Sequence, residues 1–505
     1  MKATKKMLLM LLSIFVLFGC NIKKFTMPTW DVTLNIPLMN QKYFVSGLID
    51  SLYFFPAPNN NISFQTTGEI QTEPVGEIVV PMDVNTGEIP LESGIALRDG
   101  FPLSNLHTGS EIAYGIITDG GLRVNFSDMH TTVTNVTLTL LNVLDDENVP
   151  LTITYEGNVG GYLIPLAGYH VGTENSNVIV QDIEFEVMVE STEMLGTTVG
   201  FIRLGMIDDL VFSSYRGRIS SLSIEVIDNQ THIDIDYPWG MENAIQLQNA
   251  TISLNIENPI AYPCIITGEF YALNHNSGLS ATVDLVDENN QPFAVNPRVG
   301  NVNGITEINF TNNVDQLLRI MPDFIEFRSG IIEMDNTIGT IGEIHSTDFV
   351  SGSFIANAPL EFVLLNAPIT PRDSLEIEIS QENRDTIRKN IMSASMQIGI
   401  INQLPIGALT TVYFGTNPTI SSDDPSTWAF SKSAHIYART NPNVEQIIPL
   451  NLSYDEIMIF TNPKVYMKQT FMFDASDGPV TITASPADYI QVRSIINVQA
   501  HVEEK

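Results

Sequence analysis

The stretch Ala250-Thr-Ile-Ser-Leu-Asn-Ile-Glu-Asn258 alternates polar and apolar residues with a period of two, and it returns as Ala394-Ser-Met-Gln-Ile-Gly-Ile-Ile-Asn402 at an offset of 144. A period of two sends successive side chains to opposite faces, which is the demand of a half-buried strand and not of a helix. The match runs on to Thr267 and Phe270, which meet Thr411 and Phe414. At an offset of 140, Val314-Asp315 aligns with Tyr454-Asp455, and Asp348-Phe349-Val350 with Asp488-Tyr489-Ile490. An earlier copy lies 142 residues upstream. Leu144-Asp-Asp-Glu-Asn148-Val-Pro150 corresponds to Val286-Asp-Glu-Asn-Asn290-Gln-Pro292, and Ile183-Glu184-Phe185 to Ile325-Glu326-Phe327. Asp209-Leu210-Val211 stands 139 residues before Asp348-Phe349-Val350. A repeat of about 140 residues has the size of a domain, not of a solenoid unit. The expected organisation is a segment over 20–104 followed by repeats over 105–245, 246–390 and 391–505.

Within each repeat the pattern predicts strands. Val180-Gln-Asp-Ile-Glu-Phe-Glu-Val-Met-Val-Glu190 alternates over much of its length. The Asp-Glu-Asn-x-x-Pro runs between aliphatic stretches read as hairpin turns. Helical signals are few. Asn313 to Met321 reads as a turn or two of helix closed by Pro322, and Glu382 to Met392 as a second helix. The expected fold class is all-β, with tandem antiparallel β-sandwich domains and few short helices.

The N-terminus carries Lys2, Lys5 and Lys6, then a twelve-residue apolar run from Met7 to Phe18, then Leu17-Phe18-Gly19-Cys20. The apolar run is short for a membrane span. The whole resembles the signal peptide and lipobox of bacterial lipoproteins, with Leu at −3, Gly at −1 and Cys at +1. Phe18 departs from the usual small or β-branched residue at −2. The resemblance implies a signal peptide over 1–19, cleavage before Cys20 and acylation of its thiol, palmitate included. Asn21 at +2 implies outer-membrane sorting. Ile22-Lys23-Lys24 lacks the acidic run of some surface-exposed lipoproteins, so a periplasm-facing body is favoured over the cell surface.

Acidic residues number 58 against 24 Lys and Arg, a net charge of −34. Removing the three signal lysines leaves 21 basic residues and a net of −37. Such a surface repels nucleic acid and anionic headgroups. With 44% hydrophobic residues the chain is not a disordered acidic one. Cys264 is the only cysteine besides Cys20. Its neighbours Ile265 and Ile266 imply a buried, inert thiol.

Residues 250–273 resemble the strand–Asn-Pro–strand core of the late-embryogenesis-abundant water-stress module. Ile252, Leu254, Ile256, Asn258, Pro259, Tyr262, Pro263 and Tyr271 carry the likeness. It implies a small β-sandwich and no activity. The second copy has Gln403 where Pro259 stands.

The search for chemistry returns no nucleophile elbow, no phosphate loop and no dinucleotide fingerprint. The eight histidines stand singly, with none at i+2 or i+4 from another. No cofactor is implied. Calcium candidates are Asp83 and Asn85 in Asp83-Val-Asn85-Thr-Gly87-Glu88, then Asp145, Asp146, Asp287 and Glu288 in the turns; Asp423-Asp424 is a further acidic pair. None shows a full ligand set, and turn-forming chemistry accounts for these residue types. Trp30 and Trp239 follow Pro28 and Pro238 near unit boundaries, where packing is expected. Trp428, in a turn-rich loop, is the aromatic candidate for ligand contact. The function expected is a lipid-anchored, non-catalytic envelope protein with a structural, spacing or protein-interaction role. It would meet the membrane through Cys20 and an unknown envelope partner through its body. The alternative is a carrier of a hydrophobic ligand such as lipid.

Overall fold

The computed structural model describes residues 29–50, 52–80, 85–103, 110–157, 160–219, 221–334, 339–439 and 444–503. The chain is all-β, built of antiparallel sheets with a few short helices. Alternation decides the faces. In Thr251–Asn258 the residues Ile252, Leu254 and Ile256 are buried, and in Asp182–Ser191 so are Ile183, Phe185, Val187 and Val189. Among the described residues the α-helices are Val314–Arg319, Gln381–Asn390 and two shorter turns, Met241–Ala244 and Tyr454–Met458.

The strands of residues 29–102 form no single sheet of their own. In the last unit the strand Thr29–Phe44 pairs with the C-terminal strand Tyr489–Glu503, which pairs in turn with Ile391–Asn402 and that with Gln446–Leu452. In the middle unit Ile62–Gln71 pairs with Ser351–Pro359, then come Thr251–Asn258 and Gly304–Phe310. In the first unit Ile78–Val80 pairs with Leu210–Arg218, then come Glu111–Asp119 and His170–Gly172. The leading segment thus visits the units in reverse order. In each it supplies a neighbour, to Leu210–Arg218, Ser351–Pro359 and Tyr489–Glu503. Asp209, Asp348 and Asp488 all stand at the entry to those three strands.

The second sheets also share an order. Asp182–Ser191, Phe324–Met334 and Lys464–Phe473 each lie between a linker strand and a long strand, respectively Val133–Leu144, Cys264–Asn274 and Ala408–Gly415. In the first unit His170–Gly172 also pairs with Val133–Leu144, which merges its two sheets into one of nine strands. A further sheet, Gly161–Pro165, Gly121–Ser127, Thr198–Met206 and Ile89–Glu92 in that order, is particular to this unit.

The repeated sequence signals have local physical causes. Asn258 Oδ1 accepts the Ile260 amide at 2.9 Å, and Asn402 Oδ1 accepts the Leu404 amide at 3.0 Å. Each asparagine closes the turn after the first strand of its unit. Asp145 Oδ1 accepts the amides of Glu147 and Val149, both at 2.9 Å, and Asp287 Oδ1 those of Asn289 and Gln291 at 2.7 and 2.8 Å. Asn148 and Asn290 take the left-handed conformation in these turns, at φ of 62° and 59°. The surroundings differ. The Asp145 turn joins two paired strands, Val133–Leu144 and Pro150–Glu156. The Asp287 turn is not the hairpin its sequence implies. Leu279–Asp284 and Phe293–Val295 both pair with Cys264–Asn274, so the turn is an excursion between two pieces of one edge.

One continuous core runs from Phe64 to Ile369 through the first and middle units. Phe212, Tyr215, Phe270 and Phe354 are fully buried within it. The Tyr262 hydroxyl donates to the Gly217 carbonyl at 2.9 Å across the junction, where Gly342–His345 also pairs with Leu210–Arg218. Burial pushes the Tyr262 phenol well up, which keeps this donor protonated. A three-stranded sheet of Ile245–Leu247, Glu361–Leu364 and Val480–Thr481 joins the middle unit to the last.

Candidate functional site

An open groove of about 740 Å³ lies where the middle unit meets the last. Its floor is one face of the sheet containing Ala408–Gly415 and Lys464–Phe473. Tyr413 and Lys468 face each other in register there, with Thr470 two residues along on the same face. Alternation sends Phe414 to the other side, where it stacks on Phe430 at 4.9 Å and meets Phe460 at 5.8 Å. The apolar face is thereby used for packing and the mixed face is left to the groove.

Trp239 forms one wall. Its amide and carbonyl exchange hydrogen bonds with Thr370, both at 2.9 Å. Gly240 follows at φ 84°, and a Cβ there would lie 2.3 Å from the Pro368 carbonyl, so only glycine allows this approach. The indole is 53% exposed. Packing between units, expected for this tryptophan, leaves about half of it uncovered. Lys468 lies over the ring at 4.9 Å from its centre.

Lys468 itself is only 6% exposed. Its ammonium donates to the Arg372 carbonyl at 3.2 Å, and among the described residues it meets no carboxylate within ion-pair distance. Arg372 is engaged otherwise, its Nε shared between the Asp236 carboxylate at 2.9 Å and the Tyr237 carbonyl at 3.0 Å. The opposite wall is the loop carrying Thr419 to Asp423. Local bonds stiffen it: the Thr427 hydroxyl donates to the Ser421 and Asp424 carbonyls, and Asp424 accepts the Ser426 amide and hydroxyl. The Ser426 hydroxyl and amide hold the Asp424 carboxyl below its ordinary range.

Trp428 lies behind this wall. It packs edge-on against Tyr413 at 5.4 Å, and its buried indole Nε1 has no hydrogen-bond partner among the described residues. It supports the groove's tyrosine and is not among the groove's lining residues. Trp30 stands opposite Val502 in the strand pair of the last unit.

The ion candidates do not converge. Asp83 lies outside the described residues. Asn85 Oδ1 accepts from Arg203 Nε at 2.7 Å and from the Gly87 amide at 3.3 Å. Asp145 and Asp287 spend their carboxylates on their own turns, and the Gln291 amide leads in holding Asp287 below its ordinary value. Asp146 and Glu288 are exposed beside them. Among the described residues no group of three His, Cys, Asp or Glu side chains could hold a metal ion. His275 lies against Asp323 at 2.7 Å and His435 against Asp474 at 2.8 Å, while His345 lies between Glu343 at 3.7 Å and Asp348 at 3.4 Å. Cys264 is buried and its thiol donates to the Tyr262 carbonyl at 3.4 Å.

Lys468 and Trp239 were not visible as a pair in the sequence. Lys468 opens the polar run Lys468-Gln469-Thr470 inside the strand Lys464–Phe473, and 229 positions separate it from Trp239. The one local signal is Pro238-Trp239-Gly240, a large aromatic held between two turn-forming residues.

No protein-family model matches the chain, and no curated protein matches it. Among solved structures it is similar to a protein described as secreted, from Parabacteroides distasonis ATCC 8503. The TM-score is 0.33 and the identity 10%, over 57% of this chain and 89% of that one. It is similar also to the VP2 protein of infectious bursal disease virus, at TM-score 0.16 and 10% identity over 95% of this chain and 81% of that one. At these TM-scores neither likeness carries an argument about function. Among the described residues no helix is long and apolar enough to cross a membrane.

Proposed function

We propose that the chain is a lipid-anchored, non-catalytic protein of the bacterial cell envelope, acylated on Cys20 and held at the periplasmic side of the outer membrane. Its β body serves as a spacer and interaction platform. The observation that carries this reading is the strand Thr29–Phe44. It begins nine residues after the lipobox cysteine and runs along the C-terminal strand from Thr29 opposite Glu503 to Phe44 opposite Tyr489. Nine residues reach at most about 32 Å, so the last unit is the one next to the membrane. A strand paired along its length is a firm attachment for an anchor, and a mature charge of −37 holds the body off anionic headgroups. Several acyl chains on one residue, at about 0.8 kcal/mol per buried CH₂, give stable anchoring.

The test is fractionation of cells expressing the wild type and Cys20→Ser. The wild type is expected with the outer membrane and the variant in the soluble periplasmic fraction or as unprocessed precursor. A variant that is processed and pellets with the membrane as the wild type does refutes acylation as the anchor.

A further inference from the structure

We propose that the groove between Trp239 and the Thr419–Asp423 loop binds an acidic oligosaccharide, with Lys468 as the partner of a sugar carboxylate. The charge is the first argument. A buried ammonium is costly unless paired. Lysine has three N–H donors, and here one meets a carbonyl while the ring of Trp239 takes the charge from one side. Acids outnumber bases by 58 to 24 in this chain, yet none lies within ion-pair distance of Lys468 among the described residues. A ligand anion completes the set.

The walls set the rest of the ligand. A sugar ring has a C–H face that packs on an aromatic ring and a rim of hydroxyls that needs polar partners. Trp239 keeps about half of its surface open for the first requirement. Thr370, Thr470 and Ser421 line the same groove and supply hydroxyls for the second. The volume, about 740 Å³, falls within the ~300–1,000 Å³ of small-ligand sites, and the open form suits a chain of sugars passing through. A small inorganic anion would use Lys468 and leave the indole idle. A lipid tail would find Asp373 and Asp423 in its path. Those two carboxylates also disfavour a ligand charged at every unit, such as nucleic acid or a polyuronate, so the fitting oligosaccharide carries one acid among neutral sugars, whose hydroxyls donate to Asp373 and Asp423.

The full mature chain with Cys20→Ser is titrated calorimetrically with aldotriouronic acid, a trisaccharide carrying one uronate, with a neutral trisaccharide and with inorganic phosphate at equal ionic strength. The expected result is saturable binding of the acidic trimer, at least tenfold weaker binding of the neutral trimer, and none of phosphate. Trp239→Ala should weaken both the acidic and the neutral trimer at least tenfold while the protein stays folded at the titration temperature. Lys468→Met should bring the acidic and neutral trimers to equal affinity. If that variant does not fold, raising the salt concentration replaces it and should weaken the acidic trimer alone. Silence towards the acidic trimer, equal binding of the neutral trimer by the wild type, or undiminished binding by Trp239→Ala overturns the proposal. Phosphate competing at the trimer's own affinity also overturns it, since the site is then an anion hole without a sugar platform.

Discussion

Asp488 stands at the entry to the C-terminal strand and is 5% exposed, and its carboxylate is fully occupied. One oxygen accepts the Thr483 hydroxyl at 2.5 Å and the Thr483 amide at 3.2 Å; the other takes the Arg439 guanidinium. Asp488→Ala removes the buried acceptor of two donors on the half-buried Thr483, each costing about 1–3 kcal/mol. Arg439 is about a third exposed, so water replaces most of what it loses. The expected destabilisation is about 4 kcal/mol. Its effect on melting depends on how much of the chain unfolds together. With an unfolding entropy of about 2.1 cal/mol/K per residue, a last unit of ~130 residues melting alone falls by about 15 °C. The whole chain melting as one body falls by about 4 °C. Scanning calorimetry separates these cases, because in the first only one transition moves. Asp348, whose carboxylate accepts the His345 amide at 2.8 Å and lies 3.4 Å from its ring, is the comparison. Asp348→Ala should cost less, about 1–2 kcal/mol, and act on the middle unit. An Asp488→Ala protein that melts at the wild-type temperature refutes the assignment of this carboxylate as the fastening of the last strand.

At Gly68 an added Cβ would lie 2.3 Å from Phe354 Cε1 and 2.5 Å from Thr231 Oγ1. Gly68→Ala should therefore lose about 1–3 kcal/mol in urea unfolding, and an unchanged midpoint would count against so tight a contact. Ser453 and Glu456 form a capping box, so Ser453→Ala should cost about 1 kcal/mol. Burial raises the Glu456 carboxyl, but Lys432 at 2.7 Å and the Ser453 amide and hydroxyl outweigh it and hold it below its ordinary value. Its contribution is then present above the usual carboxylate range and disappears as pH falls through the lowered value. The gap in melting temperature between wild type and Glu456→Gln should close over that window, and a gap independent of pH contradicts the pairing. Calcium and magnesium at matched ionic strength should shift the melt equally, because Asp145 and Asp287 are committed to their own turns; a rise specific to calcium overturns this.

Which parts of this were legible in the sequence follows from what is local. The alternation in Thr251–Asn258 reports a strand because the side-chain period is a property of that stretch alone. The Asp145 and Asp287 turns are recognisable because each is closed by its own side chain within four residues. Strand partners are a different matter. Nothing in residues 29–44 states that their neighbour lies at 489–503, and a segment with no partner in view reads as a separate N-terminal piece. The groove was hidden for the same reason. Trp239 reads as a junction residue, and no sequence signal singles out Lys468. Only the Trp239–Thr370 bridge, next to the strand edge Pro368–Ile369, brings them together.

The pairing of the first strand with the last also sets a timetable. Residues 29–44 are made some 445 residues before their partner. At ~5–20 residues per second that is a wait of about 20–90 s for a strand with both edges unpaired. Such a strand invites pairing with other chains. Pro37, which interrupts the ladder at the register shift before Met39, removes a donor from the middle of that waiting edge. The last unit cannot close until residues 489–503 have been made. A chain stalled short of residue 489 would therefore leave its first strand unlatched, in a form that a protease can tell from the folded protein.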